Sequence, residues 1–144
     1  MKSVEELLRN KSPRPLVKVT PDVSVYEAVR LMAEYNVGAL IVCDADGKMV
    51  GMITERDYAR KIVLQGRSSR STMVRDIMSE KVIFVTPAQD IEHCMILMTQ
   101  KRIRHLPVVE NNEVQGLLSI GDLVHATISE KEYIIHQLEH YIHG

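Results

Sequence analysis

The chain repeats itself, and this repeat limits the folds it can adopt more strongly than any other feature of the sequence. The segment VKVTPDVS, which begins at Val17, returns as IFVTPAQD at Ile83, an offset of 83 − 17 = 66 residues. After the loops DADGKM and NNEVQ the offset falls to 65, so that GMITERD from Gly51 matches GLLSIGD from Gly116. Because a single unit of about 50 residues would bury too little surface to be secure alone, the sequence predicts two such units packed together.

Each unit is predicted to run in the order β-α-β-β-α. The first strand ends at a proline, and the following helix carries apolar residues three or four positions apart. A turn of the Asp-Gly or Asn-Asn type then joins two apolar strands into a hairpin. The last strand runs into a helix capped by Thr54 or Ser119. The predicted strands before the prolines are Leu16–Thr20 and Lys81–Thr86, and the helices after them span about 24–35 and 91–101.

The fold class that follows is mixed α/β (α+β), with two repeats and a short helix at each end. The linker is rich in serine and threonine and follows Gly66, so it is expected to be loop-like and mobile. The predicted segments are an N-terminal helix 1–13, a first unit 14–66, a linker 67–75, a second unit 76–128 and a C-terminal helix 129–144.

Composition excludes several classes of function. The formal net charge is -1 and the pI about 6.6, which removes the general electrostatic argument for nucleic acid or an anionic membrane as the main partner. No signal peptide and no apolar segment of about 20 residues is visible, so a cytoplasmic protein is expected. Cys43 and Cys94 lie in apolar runs and are expected to be buried thiols. No nucleophile–base set, P-loop or Gly-x-Gly-x-x-Gly motif is present, so catalysis is not expected.

The repeated strand–Thr-Pro–helix pattern, together with the two Gly-x-x-[Thr/Ser]-x-x-Asp endings, resembles a tandem pair of CBS domains, the cystathionine-β-synthase-type module. The resemblance covers roughly residues 14–128. It implies that the two repeats are related by a pseudo-twofold axis, with two clefts between them that bind adenosine-containing ligands, such as AMP, ADP, ATP, NAD or S-adenosylmethionine. It also implies a homodimer built as a flat disc of four repeats, and regulation of an unidentified partner protein.

The resemblance places Asp57 and Asp122 at the ligand ribose. Physically, a carboxylate can accept hydrogen bonds from both ribose hydroxyls, and such charge-assisted bonds are strong. The competing interpretation is a favourable charge in the first turn of a helix. Thr54 and Ser119 are expected to cap those helices and to offer a phosphate site beside them.

The resemblance also assigns residues to the base. Backbone groups around Thr20 and Thr86 are expected to read the adenine edge, while Val17, Val37, Ile83 and Ile103 contact the ring faces or simply belong to the core. Arg56 is expected to bind a phosphate or to tie its helix to the linker.

Charge differs between the repeats at one place. The second unit carries Arg104 and His105 where the first has Gly38 and Ala39. In the family, cations here reach across the axis to the ligand of the opposite unit, so the Asp57 cleft is expected to be the better nucleotide site. The alternative is that Arg104 pairs with an acidic neighbour and His105 packs between the units.

Three alternatives for function remain open at this point. The first is a module that senses an adenine nucleotide, with phosphate-bearing ligands favoured. The second is an interaction module whose clefts are vestigial and whose terminal helices dock on another protein. The third, an enzyme acting on a nucleotide, has the least support. His136, His140 and His143 share one face of the predicted C-terminal helix, which suits a polar tail or a dimer contact better than a metal site.

Overall fold

The chain folds into two similar units, which we describe from a computed structural model that covers residues 2–10 and 16–143. The predicted boundary between residues 13 and 14 lies outside this described part. In the first unit, a three-stranded sheet has the order β1-β2-β3, with β1 parallel and β3 antiparallel to β2. Its elements are β1 (Lys18–Val19), α2 (Val25–Tyr35), β2 (Ala39–Cys43), β3 (Met49–Thr54) and α3 (Glu55–Tyr58), preceded in the chain by α1 (Val4–Asn10).

Local chemistry sets where these elements begin and end. The Ser24 side chain accepts a hydrogen bond from the Glu27 N–H at 3.1 Å and caps α2. At its other end Asn36 adopts a left-handed conformation, with φ of 52°, and stops the helix. Gly47 has φ of 80° in the turn between β2 and β3. After α3 the helix widens into a π-helical turn over Ala59–Val63.

The second unit repeats the order from the first helix onward, and its sheet has two strands. The antiparallel pairing of its strands runs from His105 opposite Ser119 to Glu110 opposite Glu113. Asn111 and Asn112 form the turn with φ of 54° and 63°, the left-handed values that asparagine tolerates better than most residues. The elements are α4 (Ile91–Lys101), β4 (His105–Glu110), β5 (Glu113–Ser119) and α5 (Ile120–His143).

The strand predicted at Lys81–Thr86 does not form, and a proline in the neighbouring strand explains the difference. Only a bridge remains, in which the Val85 N–H donates to the Pro107 carbonyl and the Val109 N–H donates to the Val85 carbonyl. Extending this parallel ladder toward Ile83 would require an N–H from Pro107, which proline lacks. The matching residue of the first unit is Ile41 (107 − 66), and there β1 pairs with β2 over two residues.

The separate C-terminal helix predicted at 129–144 is instead the continuation of the second unit's last helix. α5 runs for 24 residues from Ile120 to His143 without a break. No proline lies in this span, and its one glycine, Gly121, lies in the first turn, so nothing stops the helix near residue 129. Residues 131–140 are exposed throughout, which means that the second half of α5 projects from the unit.

Two short segments cross from one unit to the other, which the sequence analysis missed. Residues 2–10 pack on the second unit, where the Val4 N–H donates to the Gln89 carbonyl at 2.8 Å. Residues 72–80 pack on the first unit in the same way, and the Val74 N–H donates to the Val23 carbonyl at 2.8 Å. We call these the crossing segments. The linker predicted to be mobile is therefore anchored from Thr72 onward, because Thr72 and Val74 are buried.

Each crossing segment completes the hydrophobic core of the unit on which it packs. Val4 and Leu7 belong to the second core with residues of α4, β4 and α5. Val74 and Ile77 belong to the first core with residues of α2, β2 and β3. All five positions of β2 are buried, so both faces of this strand are covered, as packing of the two units through their sheets requires.

Candidate functional site

A cleft of about 350 Å³ opens between the two units beside the start of α3. This volume lies near the lower end of the range of pockets that hold small molecules. The cleft brings together seven residues that were predicted from distant parts of the sequence. These are Thr54, Arg56, Asp57, Ile83, Ile103, Arg104 and His105.

Asp57 is the most buried charged residue of the cleft, with 8% of its surface exposed. Its Oδ2 accepts hydrogen bonds from the Thr54 N–H at 3.0 Å and from the Thr54 hydroxyl at 3.2 Å. The Lys61 Nζ lies 3.2 Å from its Oδ1. The carboxylate is thus fixed in orientation by a capping box on one oxygen and a cation at the other.

The start of α3 offers fewer free amides than the sequence suggested. The Glu55 N–H donates to the Gly38 carbonyl at 3.0 Å. The Asp57 N–H donates to the Thr54 hydroxyl oxygen at 3.2 Å. Since both donors are already used, backbone amides alone do not make a phosphate site here, and an anion would depend on side-chain cations.

Arg56 ties the two units together. Its Nη1 donates to the Arg102 carbonyl at 2.9 Å, across 46 positions of sequence. Arg102 is the left-handed C-cap of α4, so its carbonyl lies at the helix end that attracts a cation. The predicted alternatives for Arg56 were a phosphate contact and a tie to the linker. The structure gives it a different tie, to the end of the second unit's first helix.

Arg104 and His105 line the cleft, and the His105 ring lies next to Gly38 of the first unit. A Cβ placed on Gly38 would lie 3.3 Å from the His105 ring and 3.0 Å from the Glu55 carboxylate. The absence of a side chain at residue 38 therefore leaves room for both groups. Glu55 lines this end of the cleft and was not selected from the sequence, although it adds a negative charge beside the predicted phosphate cations.

The end of the second crossing segment and the residues that follow it supply one wall of the cleft, and sequence reasoning missed most of it. Ser79, Lys81, Val82 and Ile83 line this wall, opposite Met52 of β3. Met52 and Ser79 exchange two backbone hydrogen bonds, of 3.0 and 2.9 Å, which fix the wall to the first sheet. Repeat alignment could not reveal this pairing, because it joins a strand of the first unit to a residue that the alignment assigned to the second unit.

Three further predicted residues do not line the cleft. Thr20 is exposed, and its hydroxyl donates to Asp22, which holds the pKa of that carboxyl below its ordinary value. The Thr86 N–H donates to the side chain of Gln89 at 2.9 Å. Val37 packs against the first core. These positions serve local turns and packing in the structure.

Ser119 and Asp122 repeat the capping arrangement on the second unit. The Asp122 Oδ2 accepts from the Ser119 N–H at 2.8 Å, and the Ser119 hydroxyl oxygen accepts from the Asp122 N–H at 3.1 Å. They do not line the Asp57 cleft. Leu16 and Val17 are the counterparts of the cleft residues Val82 and Ile83 (82 − 66 and 83 − 66). The chain just before them, residues 11–15, lies outside the described part.

Other chemistry-bearing residues do not form a site within residues 2–10 and 16–143. Burial raises the pKa of the Cys94 thiol to about 11 and raises that of Cys43, so neither is an activated nucleophile. No group of three or more histidine, cysteine or carboxylate side chains in these ranges could hold a metal ion. His136 and His140 are exposed, and the His143 side chain lies outside the described residues. No described helix is long and apolar enough to cross a membrane.

Comparison with known proteins identifies the units. The family model described as "CBS domain" matches residues 4–64 and 74–129. The CBS domain-containing protein CBSX3, mitochondrial, of Arabidopsis thaliana is 48% identical over 129 residues, which cover 87% of this chain and 63% of that protein. The CBS domain-containing protein YhcV of Bacillus subtilis is 35% identical over 123 residues, covering 85% of this chain and 84% of that protein.

Solved structures agree with this match. A protein with CBS domains from Burkholderia ambifaria has a TM-score of 0.85 and is 48% identical, and the match covers 89% of this chain and 95% of that one. The CBS-domain containing protein ATU1752 from Agrobacterium tumefaciens has a TM-score of 0.82 and 38% identity, covering 88% of this chain and 99% of that one. Both the predicted resemblance and the predicted fold class are confirmed.

Proposed function

This chain belongs to the CBS domain family, as a tandem pair of units, and on that premise we propose that it is a regulatory module that binds an adenine nucleotide in the Asp57 cleft. The observation that carries the proposal is the convergence in one cleft of a fixed carboxylate, apolar walls and cations from the opposite unit. The module senses the nucleotide on behalf of a partner protein and performs no catalysis.

The ribose binds at Asp57. Its carboxylate is nearly buried and is held by Thr54 and Lys61, so it is oriented before a ligand arrives. A pre-oriented charged acceptor binds hydroxyl donors more tightly than one that must first be ordered. The base lies between the apolar side chains of the cleft, namely Met52, Val82, Ile83 and Ile103.

The phosphate is held by cations. Lys81 and Arg104 line the cleft as exposed cations, and His105 lies beside them. A cleft of about 350 Å³ favours a mononucleotide such as AMP over the larger NAD. A CBS domain pair of the same fold, protein MJ0100, has been solved with 5'-methylthioadenosine and S-adenosyl-L-methionine. At 24% identity it supports only the capacity of the fold for adenosine ligands.

Calorimetric titration with AMP, ATP, NAD and S-adenosylmethionine tests the proposal. We expect AMP to bind, and Arg104→Ala to weaken AMP binding about five- to tenfold, because it removes one charge-assisted contact from an exposed side chain. Lys101→Ala is the matched control, since this exposed lysine lies three residues away and outside the cleft. Unchanged AMP affinity in Arg104→Ala would contradict the role of this residue.

The second candidate function, self-association as an interaction module, is favoured by the exposed second half of α5. Apolar side chains there are 50–73% exposed, namely Tyr133, Ile134, Ile135, Leu138 and Ile142. We propose that a second copy of the chain covers them, giving the four-repeat homodimer that the family resemblance implies. A hexameric CBS-CP12 protein from cyanobacteria, 27% identical with a TM-score of 0.75, shows that relatives assemble.

Light scattering after size exclusion tests this second candidate. Leu138→Glu places a charge in the apolar stripe and is expected to shift the chain toward monomer. Glu132→Lys also changes a charge on α5, but on the polar face of the helix away from the apolar stripe, and is expected to leave the mass unchanged. We also propose that the protein is cytoplasmic. The Arabidopsis relative is named as mitochondrial, so fractionation of the native cell is the appropriate measurement.

A further inference from the structure

We propose that Lys61 determines how strongly the Asp57 cleft prefers a vicinal diol over a single hydroxyl. It does so by occupying a position on the carboxylate that the second hydroxyl of a diol needs. This inference rests on the proposed function, because it concerns the ribose that Asp57 would bind. Lys61 was not selected from the sequence, and it does not line the cleft.

The Asp57 carboxylate can accept only a limited number of hydrogen bonds. A carboxylate offers about four hydrogen-bond positions, two on each oxygen. Thr54 fills both positions of Oδ2, through its N–H and its hydroxyl. The Lys61 ammonium forms an ion pair with Oδ1 at 3.2 Å, and so places a cation where a donor to that oxygen would have to lie. A single position is left, whereas the two hydroxyls of a ribose diol bring two donors.

One of the three contacts must therefore give way before a diol can bind with both hydroxyls. The Thr54 N–H belongs to the backbone at the end of β3 and cannot leave. The Thr54 hydroxyl is held from the other side, because its oxygen accepts the Asp57 N–H at 3.2 Å. Lys61 has a flexible side chain that is 39% exposed, so it is the contact that a diol displaces.

A second contact holds the Lys61 ammonium when it is displaced from Asp57. Its Nζ also donates to the Ile77 carbonyl at 2.8 Å, in the crossing segment that leads into the cleft wall. The ammonium can keep this bond while it moves away from Asp57, so displacement costs only the partly exposed ion pair. Lys61 lies within the π-helical turn Ala59–Val63, a local geometry found disproportionately at functional sites.

The second unit has no lysine at the position that matches Lys61. The counterpart of Lys61 is Ala126 (61 + 65), four residues after Asp122, and it carries no charge. The preference that Lys61 sets is therefore a property of the Asp57 cleft alone. The two units therefore differ at the position of Lys61 as well as at the positions of Arg104 and His105.

The test compares two probes and two lysines. AMP carries the vicinal diol, and 2′-deoxy-AMP carries one hydroxyl of that pair. Lys61→Met removes the ammonium at similar length, and we expect it to raise the affinity for AMP about two- to fivefold, the effect of losing a partly exposed ion pair. The affinity for 2′-deoxy-AMP should not change, because the position left on Oδ1 already accommodates its single hydroxyl.

Controls separate this effect from a general change in the protein. Lys48→Met alters an exposed lysine of the β2–β3 turn and should leave both affinities unchanged. Lys61→Arg keeps the charge and should keep the wild-type ratio of the two affinities. Thermal unfolding of each variant verifies that the fold is retained.

Two outcomes overturn the inference while the proposed function stands. One is an equal change in the affinities for AMP and 2′-deoxy-AMP in Lys61→Met, and the other is weaker AMP binding by that variant. In both cases wild-type protein binds AMP and Asp57→Asn loses that binding. If wild-type protein binds neither nucleotide, the proposed function fails, and the role of Lys61 is overturned with it.

Discussion

Replacing Gly51 by alanine tests how the cleft wall is held. A Cβ at residue 51 would lie 2.8 Å from the Ser79 carbonyl oxygen and 2.9 Å from the Met78 sulfur. Because the carbonyl belongs to the backbone, the two hydrogen bonds between Met52 and Ser79 must stretch or open. Each is worth about 0.5–1.5 kcal/mol, and alanine regains about 0.5–1 kcal/mol over glycine in a strand. With the strain of overpacking added, we expect a net loss of about 2 kcal/mol.

The repeat supplies a matched control at Gly116, the counterpart of Gly51 (51 + 65). A Cβ there would lie 2.9 Å from Leu8 Cδ2, which is the far end of a flexible side chain. We expect Gly116→Ala to change stability by less than about 1 kcal/mol, because that side chain can rotate away. Gly51→Ala should also weaken AMP binding, since Met52 and Ser79 line the cleft, whereas Gly116→Ala should not.

Urea denaturation followed by circular dichroism measures both changes, with the AMP titration repeated on each variant. The two variants must be compared by their midpoints at equal slope, because a chain with two cores need not unfold in one step. Equal losses of stability in the two variants would refute the reasoning. A Gly51→Ala variant as stable as the wild-type protein would refute it as well.

Two further predictions concern the second core. Leu7→Ala should lower the free energy of unfolding by about 2–3 kcal/mol in urea, because Leu7 is 6% exposed in that core, while the exposed Arg9→Ala should change little; equal effects would show that the first crossing segment does not stabilise the core. With the pKa of Cys94 raised to about 11, roughly one thiol in 1,000 is ionised at pH 8, so a thiol reagent should modify Cys94 far more slowly in folded than in unfolded protein. The folded state keeps this thiol protonated, so the free energy of unfolding should fall as the pH rises from about 8.5 toward 11, and Cys94→Ala should remove that slope.

The repeat, the helices and the hairpins could be predicted because each depends on local chemistry. Thr54 caps its helix as predicted, and Ser24 and Asp90 cap the helices that were predicted to begin beside them. The lost strand at Lys81–Thr86 was also predictable in principle. Its signal is Pro107, a residue that removes an N–H from the strand it was expected to pair with.

The crossing segments could not be predicted, because they depend on tertiary packing. Nothing local distinguishes a segment that packs on its own unit from one that packs on the other. Val4 and Val74 enter the two cores from outside the repeats as the sequence defined them. A second comparison of the chain with itself, at an offset of 70 instead of 66, would have paired these two valines (4 + 70 = 74).

The residues to which the repeat and the family resemblance pointed could be predicted as part of the candidate site. The other residues that line it could not. Asp57, Arg104 and His105 were selected from the repeat and the family resemblance, and the structure brings them into one cleft. Glu55 and Lys81 were missed because neither has a counterpart that draws attention to it. Lys61 could have been noticed from its spacing, since a lysine four residues after an aspartate on a helix is a favourable pair.

The central claim is that the Asp57 carboxylate binds the ribose of an adenine nucleotide, and calorimetric titration of AMP into Asp57→Asn tests it most directly. Asparagine keeps the shape of the side chain and removes the charge that makes hydrogen bonds to it strong. We expect a loss of about 10- to 100-fold in affinity with the fold intact, and a loss of less than about threefold in Asp122→Asn. AMP binding of wild-type strength in Asp57→Asn would contradict the account.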